Sequence, residues 1–169
     1  MDPRDAIWDG TTKLLYNVNY AEKIEQALLA RWTWMDSITK IAVAISSASA
    51  ALAGLVFWKN PNYTFLWPLF TSASTLLAIV SKQLSVTDKV TQHATCAAEL
   101  ASLAVDIDSL MVRMRINAEF PIADYTKKLM VRMDKYRFIY SELKYDLLLT
   151  ERVRARAQQK IDTQVADWH

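Results

Sequence analysis

The chain has 169 residues and a net charge of +2, room for one compact domain and no bulk electrostatic case for direct nucleic-acid binding. Two glycines and four prolines are too few for a turn-rich sheet fold. The single Cys96 excludes an intramolecular disulfide framework and suits a reducing compartment.

Residues 1–40 read as a cytoplasmic N-terminal helix. Leu14, Val18, Ala21, Glu25, Leu28, Trp32 and Met35 alternate spacings of four and three, the seam by which helices pack side by side. Thr11 or Thr12 can cap this helix; Asp2-Pro3 and Ile7-Trp8 can instead form a short turn or interfacial helix before it.

Residues 41–81 carry two charge-free stretches, Ile41 to Trp58 and Thr64 to Ser81. A helix of either length reaches about 27 Å at about 1.5 Å per residue, close to a hydrocarbon core of about 30 Å. The intervening Lys59-Asn60-Pro61-Asn62-Tyr63 is a tight turn, so the pattern predicts a transmembrane hairpin. The competing reading is a pair of buried helices in a soluble all-α domain. Such helices normally keep one charged face, which neither stretch has. Lys23, Arg31, Lys40, Lys82 and Lys89 lie on the side of both termini and only Lys59 lies in the turn. The positive-inside bias therefore predicts both termini in the cytoplasm.

Within the spans, small and hydroxyl residues recur at helical spacing: Ser46, Ser49 and Ala53 in the first, Thr71, Ser72 and Thr75 in the second. Such residues let membrane helices approach closely and bond across the contact. In a ring of subunits the same hydroxyls can line a water-filled path, and both readings stay open. No charge within the spans indicates a proton relay or a charge-selective ring.

Residues 82–169 predict a cytoplasmic helical hairpin. Val86, Val90, His93, Ala97, Leu100, Ala104, Ile107, Met111 and Met114 continue the seam, giving a helix from about Ser81 to Asn117. Phe120-Pro121 breaks it. A return helix from Ile122 to about Gln164 follows, with Leu129, Met133, Tyr136, Tyr140, Leu143 and Leu147 on its seam. The basic end of the chain, Arg152 to Lys160, reads as a solvated helix end or as a patch for acidic lipid or nucleic acid. The fold class is thus an all-α membrane protein: a two-helix transmembrane hairpin bearing long cytoplasmic helices in a coiled-coil-like bundle.

Chemistry is sparse. No phosphate-cradling loop can be written with Gly10 and Gly54 alone, and no cofactor is implied. His93 and Cys96 lie three apart on one helix, but metal sites want denser clusters. His93 sits on the apolar seam and reads as a histidine hydrogen-bonded across the bundle, a candidate switch. Asp106 and Asp108 point to different faces. No catalytic residue set is found, and the chain does not read as an enzyme. Tyr125, Arg132, Arg137 and Tyr145 form a candidate docking face for a protein partner.

An N-terminal helix, two closely spaced spans and a long helix with the run Thr91-Gln92-His93-Ala94-Thr95-Cys96-Ala97-Ala98-Glu99-Leu100 resemble the SLATT domains. These are bacterial two-transmembrane modules of nucleotide-linked conflict systems. The family commonly shows a His followed by small residues after the second span, which His93, Ala97 and Ala98 match. The resemblance implies an antiviral defence effector, a homo-oligomer in the inner membrane that permeabilises it when a separate sensor protein fires. The alternative is a membrane-anchored scaffold or signal transducer that binds a protein through its cytoplasmic helices.

Overall fold

The computed structural model describes residues 2–56, 66–117, 119–143 and 146–166, with backbone alone at 46–56, 66, 67, 70, 71, 142, 143, 165 and 166. Five helices account for it: α1 (Pro3–Val56), α2 (Leu66–Gln83), α3 (Val86–Ile116), α4 (Ile122–Leu143) and α5 (Glu151–Ala166). No strand occurs among the described residues, so the all-helical reading holds. Among those residues no helix is long and apolar enough to cross a membrane.

The chain divides into two compact units, one of Met1–Leu28 with Gln92–His169, the other of Leu29–Thr91. The core of the first unit follows the heptad seams. Leu14, Val18 and Ala21 of α1 pack with Leu100, Leu103, Ile107, Met111 and Met114 of α3 and with Tyr125, Leu129 and Ile139 of α4. Gly10 marks a close approach of α1 to α4: a Cβ there would lie 3.2 Å from Leu129 Cδ2. On α5, Val153, Ala157 and Ile161 are buried. Asp162 Oδ1 ties α5 to α1 by accepting the Tyr16 hydroxyl at 3.2 Å, and Gln158 Nε2 donates to both groups. Burial, reinforced by the neighbouring Tyr140 and Tyr20, pushes the Tyr136 hydroxyl up to about 12.

Several boundaries differ from the sequence expectation. α1 begins at Pro3, not at Thr11 or Thr12, because Asp2 caps it. The Arg4 amide donates to Asp2 Oδ1 at 2.9 Å, and Pro3 takes the first-turn position where its missing N–H costs nothing. The Thr11 and Thr12 hydroxyls instead donate inside the helix, to the Ile7 and Trp8 carbonyls at 2.7 and 3.0 Å. The helix expected from Ser81 is divided at Leu84–Ser85, where Ser85 adopts φ 46°, a left-handed conformation that ends α2. Its carbonyl then accepts the Lys89 amide at 2.9 Å to start α3.

The return helix is likewise two helices. Asp146 Oδ1 accepts the Leu148 amide at 2.7 Å, a side-chain turn that competes with the helix. The Thr150 carbonyl then accepts the Val153 amide at 2.9 Å to begin α5. Leu147, in the connector, is 78% exposed; within α4 Tyr140 also faces outward, off the expected seam, and Ile139 takes the buried position. The expected break at Phe120-Pro121 is present, with the Phe120 ring buried 4.7 Å from Tyr125.

In the second unit Trp32, Ser74 and Val86 are buried. Asp36 accepts from Lys40 at 2.6 Å and from the Thr87 hydroxyl at 3.2 Å. The Lys40 hydrogen bond holds the Asp36 carboxyl below the ordinary carboxylate range. Large apolar side chains on α2 stay outside: Leu69, Leu76, Ile79 and Val80 are all exposed, as are Ile41 and Ile45 of α1.

The buried core makes a stability prediction. Leu103→Ala, at a position with no exposure, should cost about 2–5 kcal/mol in chemical denaturation. Val131→Ala on the exposed face of α4 should stay within about 0.5 kcal/mol of the parent.

Candidate functional site

The seams that build the first unit carry one charge each where α1 and α3 meet. Glu25 follows Ala21 and precedes Leu28 on α1, and His93 lies one turn before Ala97 on α3. Heptad spacing therefore delivers both side chains to the same buried line. Their contact is direct: His93 Nδ1 lies 2.7 Å from Glu25 Oε2. The third member comes from outside any helix. His93 Nε2 lies 3.0 Å from Asp146 Oδ2, and Asp146 Oδ1 closes the turn between α4 and α5.

All three side chains are nearly inaccessible, at 7% for His93, 1% for Glu25 and 4% for Asp146. Ionised carboxylates only accept hydrogen bonds. A ring held by two of them must therefore donate from both nitrogens, which describes an imidazolium. Burial pulls the His93 pKa down, but the hydrogen bonds and charges of Glu25 and Asp146 together outweigh it and leave it raised. Two carboxylates against one imidazolium leave the trio with a net negative charge. Glu25 Oε1 is buried and has no hydrogen-bond partner among the described residues.

With both ring nitrogens taken by carboxylates, His93 has no nitrogen free to serve as a base for a nucleophile. The arrangement is therefore an ionic clasp. Among the described residues no group of three or more His, Cys, Asp or Glu side chains is placed to hold a metal ion.

The structure treats the sequence candidates unequally. His93 is buried and bonded across the bundle. Ser72 and Thr75 are exposed on α2, while the side chains of Ser46, Ser49, Ala53 and Thr71 lie outside the described residues, as does Tyr145. Arg132 is half-buried and donates to the Lys128 carbonyl at 3.0 Å within its own helix. Arg137 is exposed beside Asp134, 3.5 Å away. Tyr125, expected on an exposed docking face, is buried under Phe120 with Lys128 over its ring at 4.8 Å. Sequence reasoning missed Glu25 and Asp146 as partners of His93. A lone carboxylate on an otherwise apolar seam was the signal for Glu25; Asp146, in an irregular connector, offered none. Comparison with known protein families, curated proteins and solved structures finds no match.

The clasp sets a pH dependence with a definite sign. A histidine whose folded pKa is raised above its unfolded value of about 6.5 stabilises fully below that value. The contribution is lost as pH rises through the folded pKa. Denaturation free energy should therefore decline as pH rises from about 6.5. His93→Gln should flatten that slope; a parent whose stability rises across the same window would exclude the charged ring. His93→Leu, which removes the charged ring from two buried carboxylates, should cost about 3–5 kcal/mol.

Proposed function

We propose that this chain is a membrane-embedded, oligomeric effector of the bacterial inner membrane that permeabilises it when a separate sensor protein acts on its helical bundle. The observation that carries the reading is the outward-facing apolar surface of α1 and α2. Ile41, Val43, Ile45, Leu69, Leu76, Leu77, Ile79 and Val80 are exposed together, on stretches that contain no charge from residue 41 to 58 or from 64 to 81. In water such a surface is unfavourable by about 25 cal/mol per Å² of apolar area; against lipid tails the penalty disappears. Both termini then lie in the cytoplasm, following the basic residues that flank the stretches. Ser72 and Thr75, exposed on α2, supply hydroxyls for contact between copies or for a hydrated path.

A scaffold reading has its own support. Val131 and Phe138 are exposed one heptad apart on α4, beside Arg137, a combination suited to anchoring a protein partner. In that case the hairpin only tethers the bundle.

Ion flux from liposomes containing the purified chain separates the two. In the effector reading, Ser72→Leu/Thr75→Leu abolishes flux, at least tenfold below the parent, with membrane insertion unchanged, and Arg137→Glu leaves flux intact. Absence of flux from a fully inserted parent, with its sensor supplied, would overturn the effector and leave the scaffold.

A further inference from the structure

The face of α3 opposite its buried seam carries a second heptad pattern. Ser102, Val105, Ser109, Val112 and Ile116 alternate spacings of three and four, and all are exposed, Val105 at 70% and Ile116 at 81%. At about 100° per residue they form one line along the helix. Asp106 and Arg113 flank that line on one side, Asp108 and Arg115 on the other. Each flank thus carries an acid and, one heptad on, a base. Residues one heptad apart are too distant to pair within one helix. Among the described residues none of these four side chains makes an ion pair.

We propose that this face is a two-fold interface with a second copy of the chain, the two α3 helices packing antiparallel. The pattern is self-complementary. In the register that sets Ser109 against the partner's Val112, Val105 meets the partner's Ile116. Asp106 then faces the partner's Arg113, and Asp108 faces the partner's Arg115. Two-fold symmetry repeats each pair, so all eight charges of the two flanks are matched. A parallel pairing, in which one flank meets the other, matches only Asp108 with the partner's Arg113 and leaves Asp106 and Arg115 without a counterpart. Ser109 gives the larger side chain of the partner's Val112 room to seat.

The surroundings fit this occupant. A groove of about 560 Å³ lies beside the stripe, lined by Leu15 and Asn19 of α1 and by Val105, Asp108 and Arg115 of α3. The Arg115 guanidinium is held over the Trp8 ring at 5.3 Å, which keeps its N–H edge available to a carboxylate across the interface. The interface does not depend on the membrane reading, since every residue it uses belongs to the unit containing the buried core.

Sedimentation equilibrium of the full-length chain, in detergent micelles at neutral pH, tests the charge pairs. Asp106→Arg should weaken self-association at least tenfold, and Asp106→Arg/Arg113→Asp should restore it. A second measurement reads the geometry even if the charge-free stretches also associate. Chains carrying Ser109→Cys are mixed with chains carrying Val112→Cys and oxidised, and the mixed pair should cross-link. Cross-links only between like cysteines would show a parallel pair and overturn the proposal. A parent that stays monomeric, or an association unchanged by Asp106→Arg, would overturn it too. Failure of the charge swap or of the mixed cross-link with liposome flux of the parent intact would overturn this interface and leave the effector reading standing.

Discussion

A buried positive ring can exist in this bundle only while two carboxylates hold it. His93 on α3 is committed at both nitrogens, to Glu25 of α1 and to Asp146 in the α4–α5 connector. Removing water from three charges is expensive, and the mutual attraction offsets that cost only while the geometry is kept. The consequence is specificity of arrangement. One side chain thereby ties α1, α3 and the connector together, beside the apolar contacts of the core. The clasp also sets where the chain leaves α4, because the carboxylate that grips His93 uses its other oxygen to close the turn toward α5.

The two units use apolar side chains in opposite ways. In the first, the seams of α1, α3 and α4 turn inward and leave little core surface in contact with solvent. In the second, Leu76, Ile79, Val80 and their neighbours on α2 face outward. The first set is buried against other helices of its unit, and the second is left outside.

Helix α3 has two distinct faces. Its inner line holds the core and the clasp; its outer line is small and apolar, bordered by charges that match only across a two-fold axis. His93 lies on the inner face, and the proposed contact with a second copy uses the outer one. The groove beside the proposed contact is walled by Leu15 and Asn19 of α1, the same helix that supplies Glu25 to the clasp.

The sequence by itself determined the helical class, the inward seams and the break at Phe120-Pro121. Three-and-four periodicity, scarce glycine and a single Phe-Pro junction are local signals, and they held except at the end of the α4 seam, where Tyr140 and Leu147 are exposed. Leu14, Val18 and Ala21 of α1, and Leu100, Ile107 and Met114 of α3, are buried where the periodicity put them. It also marked His93 as a seam histidine. What only the tertiary structure decided was who partners it. Asp146 is distant in the chain and sits in an irregular segment, so no period connects it to His93. The same contact explains the division of the return helix at Asp146 to Thr150, invisible as a stop signal because no glycine or proline stands there. Asp2, rather than Thr11 or Thr12, caps α1 because a threonine hydroxyl inside a helix bonds its own preceding turn. Each of these outcomes turns on competition between hydrogen-bond partners, and that competition is settled by which groups the packed chain brings within reach.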